Sequence, residues 1–302
     1  MITKIKSKAL LLAVSFSLVA CGSDDDNDQP APTLLTSEDT IATTVSENES
    51  FSTLLAAVDA ADLVETLDSE GPFTVFAPTD EAFAALPEGT LDSLLLPENK
   101  QKLIDILLFH VVPGSLSSSD VLAQTSIATV FGQNLAIDKD KVTVNGASIV
   151  STDIAASNGT IHVIDSVLIP KDAVEVASSA GFNTLVAAIE AAGLTETLKG
   201  DGPFTIFAPT DDAFAALPEG TLESLLQPEN KQQLIDILSY HVVSGSLKAE
   251  AVLAESSLTS LEGSSISISS DGGAKVNESS ITATDVIAGN GVIHVIDKVL
   301  IP

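Results

Sequence analysis

The chain contains no arginine. Its 13 basic residues are all lysines, set against 42 acidic residues, and the formal net charge at pH 7 is −29. A protein that binds nucleic acid needs clustered cations to neutralise phosphates, and arginine is prominent among them. The composition therefore excludes nucleic acid as a partner. The hydrophobic share of 45% is large enough for folded cores, which argues against a disordered chain.

Cysteine is also scarce. The single cysteine, Cys21, cannot form a disulfide within the chain. It ends the segment LVAC (18–21), which resembles the lipobox of bacterial lipoproteins. Residues 1–20 fit a lipoprotein signal peptide, because three lysines precede a mainly apolar stretch of twelve residues that is too short to span a bilayer. The resemblance implies acylation of Cys21; an ordinary signal peptide with a chance cysteine is the alternative.

Residues 21–36 are predicted to be an acidic flexible tether, since they are polar, contain proline and lack an apolar period. Their aspartate run lacks the spacing of a calcium loop. Anionic headgroups repel so acidic a chain, so the membrane is expected to be a partner through the lipid anchor alone. Gly22 and Ser23 stand where an aspartate would retain a lipoprotein in the inner membrane. Similarity to such sorting signals implies the outer membrane of a Gram-negative envelope, on its surface or its periplasmic face.

The sequence is internally duplicated. Residues 51–110 align with residues 182–241 at an offset of 131, with 44 identities in 60 positions. A period of this length is domain-sized and far exceeds that of solenoid repeats. We therefore predict two sibling domains, residues 37–170 and 171–302. The junction between them has no glycine- or serine-rich spacer, so we expect limited freedom between the domains.

The spacing of apolar residues changes midway through each copy. Helical apolar spacing comes first, and segments rich in Val, Ile, Ser and Thr follow, which predicts the α+β class. The motifs FTVFAPTDEAF (73–83) and FTIFAPTDDAF (204–214) predict a strand followed by a helix, with Thr79 or Asp80 as the N-cap. The paired acids suit the positive end of a helix better than catalysis. Thr90 is predicted to cap a further short helix.

These motifs, together with GTIHVIDSVLIP (159–170) and GVIHVIDKVLIP (291–302), resemble the two signatures of the fasciclin domain family. The resemblance covers most of the chain. It implies two tandem fasciclin-like domains, each a wedge-shaped β-sandwich with helices packed along one side. The signature positions are expected to be mainly structural: Phe76, Pro78, Thr79, Asp80, His162, Phe207, Pro209, Thr210, Asp211 and His294.

The family is known for cell adhesion and matrix association. In animal members a Tyr-His pair between the signatures and an Asp-Ile pair before the second signature have been linked to receptor binding. The resemblance implies that the matching residues of this chain are candidates for partner binding; the alternative is that they only form turns and strands. These residues are Phe109, His110, Asp153, Ile154, Tyr240, His241, Asp285 and Val286. The phenylalanine of the first copy and the valine of the second depart from the family pattern.

No chemistry stands out. The four histidines are predicted to be structural residues of apolar strands: His110, His162, His241 and His294. None lies at metal-ligand spacing from another histidine or a cysteine, and no nucleophile or phosphate-binding motif is present. We expect no metal site, no cofactor and no enzymatic activity, although an esterase assembled from scattered Ser, His and Asp side chains stays open.

The favoured function is a membrane-anchored adhesion or interaction lipoprotein. It would mediate cell adhesion, aggregation or contact with an extracellular or biofilm matrix by binding a protein or glycan through two repeated domains. The alternative is a periplasm-facing module that binds a small molecule, a glycan or an envelope protein. Protease treatment of intact cells separates the two, because it should remove the chain beyond Cys21 only in the first case.

Overall fold

The computed structural model describes residues 39–200, 202–270 and 272–302. The predicted signal peptide, the predicted lipidation site Cys21 and the whole of the predicted tether lie outside the described residues. We refer to the described residues within 39–170 as domain 1 and to those within 171–302 as domain 2, following the predicted boundary. Both contain helices and a β-sheet, so the predicted α+β class and the tandem arrangement are confirmed.

The described elements of domain 1 follow the predicted order, with most helices before most strands. Its helices are α1 (Ile41–Glu47), α2 (Ser52–Ala60), α3 (Val64–Leu67), α4 (Asp80–Ala84), α5 (Thr90–Leu94), α6 (Lys100–Phe109) and α7 (Ser118–Leu122). Its strands are β1 (Phe73–Pro78), β2 (Val111–Pro113), β3 (Ser126–Ala128), β4 (Asn134–Asp138), β5 (Thr143–Val144), β6 (Ala147–Ala156) and β7 (Gly159–Ile164). Short 3₁₀ turns precede α2 and α6, at Glu49–Phe51 and Pro97–Asn99.

Domain 2 repeats this series. Its helices are α8 (Ala173–Ser179), α9 (Asn183–Ala192), α10 (Thr195–Lys199), α11 (Asp211–Ala215), α12 (Thr221–Leu225), α13 (Lys231–Tyr240) and α14 (Ala249–Ala254), with a 3₁₀ turn at Pro228–Asn230. Its strands are β8 (Phe204–Pro209), β9 (Val242–Ser244), β10 (Ser257–Thr259), β11 (Ser265–Ser269), β12 (Lys275–Val276), β13 (Ser279–Ala288) and β14 (Gly291–Ile296).

In each domain the described strands form one seven-stranded sheet. The order in domain 1 is β2-β1-β7-β6-β5-β4-β3, and β1 pairs with β7 in parallel while the other neighbours are antiparallel. The long strand β6 shifts register on either side of Ser151, and such bulges bend a sheet. The two sheet ends then meet, because the Val130 backbone N–H donates to the Val111 carbonyl at 2.8 Å. The expected sandwich is thus a single sheet curled back on itself.

Strand β1 lies between two apolar cores. Val75 and Ala77 face the helices, whereas Phe76 faces the interior of the curled sheet. A strand covered on both faces needs a nearly continuous apolar run, which the motif supplies. The helical core of domain 1 includes Phe51, Leu54, Leu103, Leu107 and Ile161. The core inside the sheet includes Phe109, Leu135, Ile164 and Leu168.

The helix after β1 begins as predicted. Thr79 is its N-cap, with a side chain that accepts a hydrogen bond from the Ala82 backbone N–H at 3.3 Å. The prediction for Thr90 is wrong, because this residue is the first helical residue of α5 and Gly89 takes the cap position. Gly89 has a φ of +81°, a left-handed conformation that strains any residue with a β-carbon.

Candidate functional site

Two of the four histidines lie at helix ends. His110 is the C-cap residue of α6 and His241 that of α13, so the strand prediction is wrong for both. His162 and His294 do lie in strands, β7 and β14. The apolar residues before His110 and His241 fit a helix or a buried strand equally well. Only the position of the chain in the fold decides between the two.

His110 and His241 connect each helix end to the segment after the last strand. The Nδ1 atom of His110 lies 2.8 Å from the Ile106 carbonyl, and its Nε2 accepts from the Leu168 backbone N–H at 2.9 Å. The corresponding distances around His241 are 2.8 Å and 2.9 Å. Since one partner is an acceptor and the other a donor, each ring is neutral with its proton on Nδ1.

Burial lowers the pKa of both histidines to about 4, and the carbonyl bond at Nδ1 opposes this only in part. Both side chains are buried. Because both ring nitrogens are occupied, neither histidine is placed to act as a base or a metal ligand. In the structure, each of these histidines links two segments of its domain by hydrogen bonds.

The residues next to these histidines are also interior. Phe109 packs edge-on against Phe131, with ring centroids 6.1 Å apart. Its counterpart Tyr240 donates from its hydroxyl to the Ser265 carbonyl at 3.0 Å and accepts from the Asn277 amide at 2.9 Å. The structure therefore gives the Tyr-His segment of both domains a packing role. Its part in partner binding stays a prediction.

The Asp-Ile segment lies at the bulge of β6. Asp153 has a φ of +60°, and its backbone N–H points to Nδ1 of His162 at 3.3 Å. The other ring nitrogen, Nε2, then donates to the Leu116 carbonyl at 3.0 Å. The same arrangement joins Asp285, with a φ of +57°, to His294 at 3.4 Å. These strand histidines hold the bulge in place.

The carboxylates of this segment bind helix ends. Asp153 accepts from the backbone N–H of Ser118 at 2.8 Å and from its hydroxyl at 2.6 Å, and these bonds keep its pKa below the ordinary value. Asp285 accepts from the Ala249 N–H at 2.8 Å. Both aspartates are exposed at the surface, and each is followed by a half-buried residue, Ile154 or Val286. Of the candidate residues, the two aspartates are the exposed ones.

The aspartates of the first signature, Asp80 and Asp211, also bind the start of a helix. Asp80 accepts from the Ser52 hydroxyl at 2.6 Å and from the Thr53 backbone N–H at 2.8 Å, which ties α4 to the start of α2. Burial by itself raises the pKa of Asp80, but these bonds outweigh it and the pKa lies below its ordinary value. The second copy repeats the link between Asp211 and Thr184 at 2.9 Å. The remaining signature residues are buried or cap a helix: Phe76, Pro78, Phe207, Pro209 and Thr210.

A feature that sequence reasoning missed is the joint between the domains. The side chain of Gln133 in domain 1 donates to the Lys171 carbonyl at 2.9 Å and to the Ile287 carbonyl at 3.1 Å, and it accepts from the Lys171 N–H at 3.0 Å. A β-carbon on neighbouring Gly132 would lie 3.2 Å from Ile287. The repeat position of Gln133 in domain 2 is Ser264, but this difference is one of many between the diverged parts of the two copies and does not by itself indicate a contact.

A cleft of about 460 Å³ lies beside this joint. Helix α6 and residues 130–131 of domain 1 line one side of the cleft. Residues Gly202, Pro203, Ser246 and Lys248 and the β13–β14 turn of domain 2 line the other. Burial raises the pKa of Asp105 in this wall, although Gln101 donates to its carboxylate at 2.9 Å and opposes the shift.

The described part of the chain offers no group of three or more His, Cys, Asp or Glu side chains able to hold a metal ion. Within the same residues, no helix is both long enough and apolar enough to cross a bilayer. Every buried side-chain nitrogen and oxygen of these residues has a hydrogen-bond partner.

Comparison with known proteins gives a consistent result. The Fasciclin domain matches the chain twice, at residues 49–170 and 180–302. Protein sll1483 of Synechocystis sp. is 56% identical over 133 residues, which cover 43% of this chain and 73% of that protein. Transforming growth factor-beta-induced protein ig-h3 of Sus scrofa is 35% identical over 247 residues, which cover 78% of this chain.

The matched region spans only 35% of the length of the ig-h3 protein. A solved FAS1 domain pair from the insect cell adhesion molecule Fasciclin I aligns with 83% of this chain and 96% of its own, at a TM-score of 0.47 and 18% identity. Both sequence repeats match the family, and the signatures lie at the strand–helix junction and the closing strand of each domain. The chain belongs to the fasciclin domain family.

Proposed function

We propose that this protein is an adhesion lipoprotein, anchored to the cell envelope through Cys21 and presenting two fasciclin domains to a protein or glycan of another surface or matrix. Fasciclin domains are linked to cell adhesion and to interaction with other proteins. The anchor rests on the lipobox-like segment LVAC, in which Cys21 is the single cysteine of the chain. The outer membrane is the proposed location, on the basis of Gly22 and Ser23.

The observation that carries the proposal is the joint at Gln133. Three hydrogen bonds connect its side chain to domain 2, so the two domains are presented in a defined arrangement. When one of two linked contacts has formed, the second becomes intramolecular, and overall avidity can exceed a single affinity by roughly 10²–10⁴. Two weakly binding domains on one anchor can therefore hold a cell to a surface.

Cell attachment tests the proposal. Cells that produce the wild-type chain are compared with cells that produce Cys21→Ser, and Thr33→Ala, in the predicted tether beyond the sorting positions, serves as the control. At equal protein levels, attachment should fall for Cys21→Ser and stay unchanged for Thr33→Ala. Equal attachment of Cys21→Ser and wild-type cells would refute the anchored-adhesin function.

A second candidate function is favoured by the cleft between the domains, which has the size of a small-molecule site. It is a periplasm-facing module that binds a small molecule, a glycan or an envelope protein. Protease treatment of intact cells separates the two candidates. Degradation of the domains supports the adhesin, whereas protection of the domains until the outer membrane is permeabilised supports the periplasmic module.

A further inference from the structure

The cleft depends on both domains. Its volume of about 460 Å³ falls within the range of about 300–1,000 Å³ that is usual for ligand sites, which often form between domains. The corresponding surface of domain 1, around Pro72 and Asn158, is an open depression lined by residues of domain 1 alone. The cleft therefore results from the way the joint at Gln133 brings α6 close to domain 2.

The domain 1 side of the cleft carries an apolar patch around Leu108 and Phe131 among polar residues. The aromatic ring of this patch is held in place. Phe131 is half-buried and packs edge-on against buried Phe109 at 6.1 Å. Leu108 lines the cleft beside it. The repeat positions of Leu108 and Phe131 in domain 2 are Ser239 and Glu262. The apolar patch is therefore present in domain 1, which borders the cleft with this surface, and it is not repeated at the equivalent surface of domain 2.

The polar groups of the cleft combine donors and acceptors. Asp105 is half-buried and its carboxylate is held by the Gln101 amide at 2.9 Å. Lys248, an exposed residue, lines the cleft from domain 2, and its repeat position in domain 1 is Ser117. The cleft therefore has a lysine from the second domain at a position where the first domain has a serine.

The charges of the cleft are balanced. The described residues that line it include two carboxylates, Glu98 and Asp105, and two ammonium groups, Lys102 and Lys248. In a chain with a net charge of −29, such a balanced region favours neither a metal cation nor a phosphate. Hydroxyl groups suit it, because they donate to carboxylates and accept from ammonium groups. The apolar C–H face of a sugar ring suits the exposed part of Phe131.

From these features we infer that the cleft between the domains is a binding site for a neutral, hydroxyl-rich glycan segment. Phe131 packs against the sugar ring, Asp105 accepts from its hydroxyls, and Lys248 donates to them from the opposite side. The inference does not depend on the lipid anchor or on the location of the protein in the envelope.

The test uses the full chain, purified in detergent micelles, on an array of immobilised glycans. The neutral arm contains glucans, galactans, mannans and N-acetylhexosamine oligomers, and the anionic arm contains sulfated and uronic-acid glycans. We expect binding in the neutral arm, followed by titration of the free oligosaccharide that binds most tightly. Absence of binding to every neutral glycan, or binding confined to the anionic arm, overturns the inference.

The structure provides a matched control variant. Asp236 is the repeat position of Asp105 and is held by Gln232 at 2.8 Å in the same way, but it does not line the cleft. Asp105→Asn should weaken glycan binding at least about tenfold, since a hydrogen bond to a charged group is lost. Asp236→Asn should leave binding unchanged. Equal effects of the two variants would place the glycan elsewhere and refute the site.

A second variant guards against loss of folding. Lys248→Ala removes an exposed side chain from the opposite wall and should weaken binding several-fold while thermal unfolding stays as in the wild type. Unchanged glycan affinity in both Lys248→Ala and Asp105→Asn would overturn the inference. Because the glycan assay uses purified protein and no cells, a negative result in it does not change the interpretation of the cell-attachment test with Cys21→Ser.

Discussion

Acidification should destabilise this protein through its helix-end histidines before its hydrogen-bonded aspartates titrate. His241 is buried, and its neutral ring accepts the Leu300 N–H at Nε2. Its folded pKa is about 4, against 6.5 for the free side chain. The folded state therefore binds fewer protons than the unfolded state between these values. The stabilisation is complete above pH 6.5 and is lost as the pH falls toward 4.

The size of the effect follows from this gap. Between pH 6.5 and pH 5 the unfolded chain takes up a proton that the folded chain does not, at about 1.4 kcal/mol per pH unit. Through His241, the free energy of unfolding of domain 2 should therefore fall by about 2 kcal/mol when the pH is lowered from 7 to 5. Hydrogen bonds lower the pKa of Asp153 and Asp211 below 3.8. Their stabilisation is present above 3.8 and is lost only below it, so the two pH windows are separate.

The variant His241→Gln isolates this contribution. Glutamine can still accept the Leu300 N–H but does not titrate, so we expect lower stability at pH 7, by about 1 kcal/mol for the altered bond to the Ile237 carbonyl. Its further loss between pH 7 and pH 5 should be about 2 kcal/mol smaller than that of the wild type. Relief of acidic self-repulsion at low pH affects both proteins alike and cancels in this difference.

Urea denaturation at pH 7, 6 and 5 provides the measurement. The chain has one tyrosine and no tryptophan, so the fluorescence of Tyr240 reports on domain 2. Circular dichroism of His110→Gln gives the parallel experiment for domain 1. If the wild type and His241→Gln lose stability in parallel between pH 7 and pH 5, the histidine does not titrate as argued and the reasoning is refuted.

Further predictions concern the core, the joint, the bulge and the charge. Val75 lines an apolar cavity of about 50 Å³ in domain 1, and its repeat position is Ile206. In urea denaturation, Val75→Ile should raise the free energy of unfolding by about 0.8 kcal/mol, and Ile206→Val should lower it by about 1 kcal/mol. A lower free energy of unfolding for Val75→Ile would contradict the prediction. Gln133→Ala should speed hydrogen exchange of the joint amides at least tenfold, whereas Ser264→Ala should not. Asp153→Ala should lower stability by about 1 kcal/mol through loss of the bonds to α7, and Asp153→Asn, which tolerates a positive φ, should cost less; equal losses would argue against the backbone argument. The thermal midpoint should rise with NaCl, because the screening length falls from about 30 Å at 0.01 M to about 3 Å at 1 M, and a constant midpoint would refute acidic self-repulsion.

Much of the local structure could be predicted from the sequence. The strand and helix of FTVFAPTDEAF follow from a short apolar run, a proline and a capping threonine, all within eleven residues. The helix ends were less predictable. The apolar residues around His110 fit both periods, so the sequence predicts a strand at a residue where the structure has the end of α6. Gly89 rather than Thr90 caps α5, because backbone conformation and not side-chain chemistry decides that position.

The duplication, the α+β class and the signatures can all be predicted from the amino-acid sequence, since repeats, periodicity and caps are encoded by neighbouring residues. The contacts between distant groups depend instead on the folded chain. Gln133 binds the carbonyl of Ile287, 154 positions away, and His110 binds the N–H of Leu168, 58 positions away. Such contacts depend on how sheets curl and domains pack, and no local pattern encodes them. For that reason the joint and its cleft emerge only once both domains are folded.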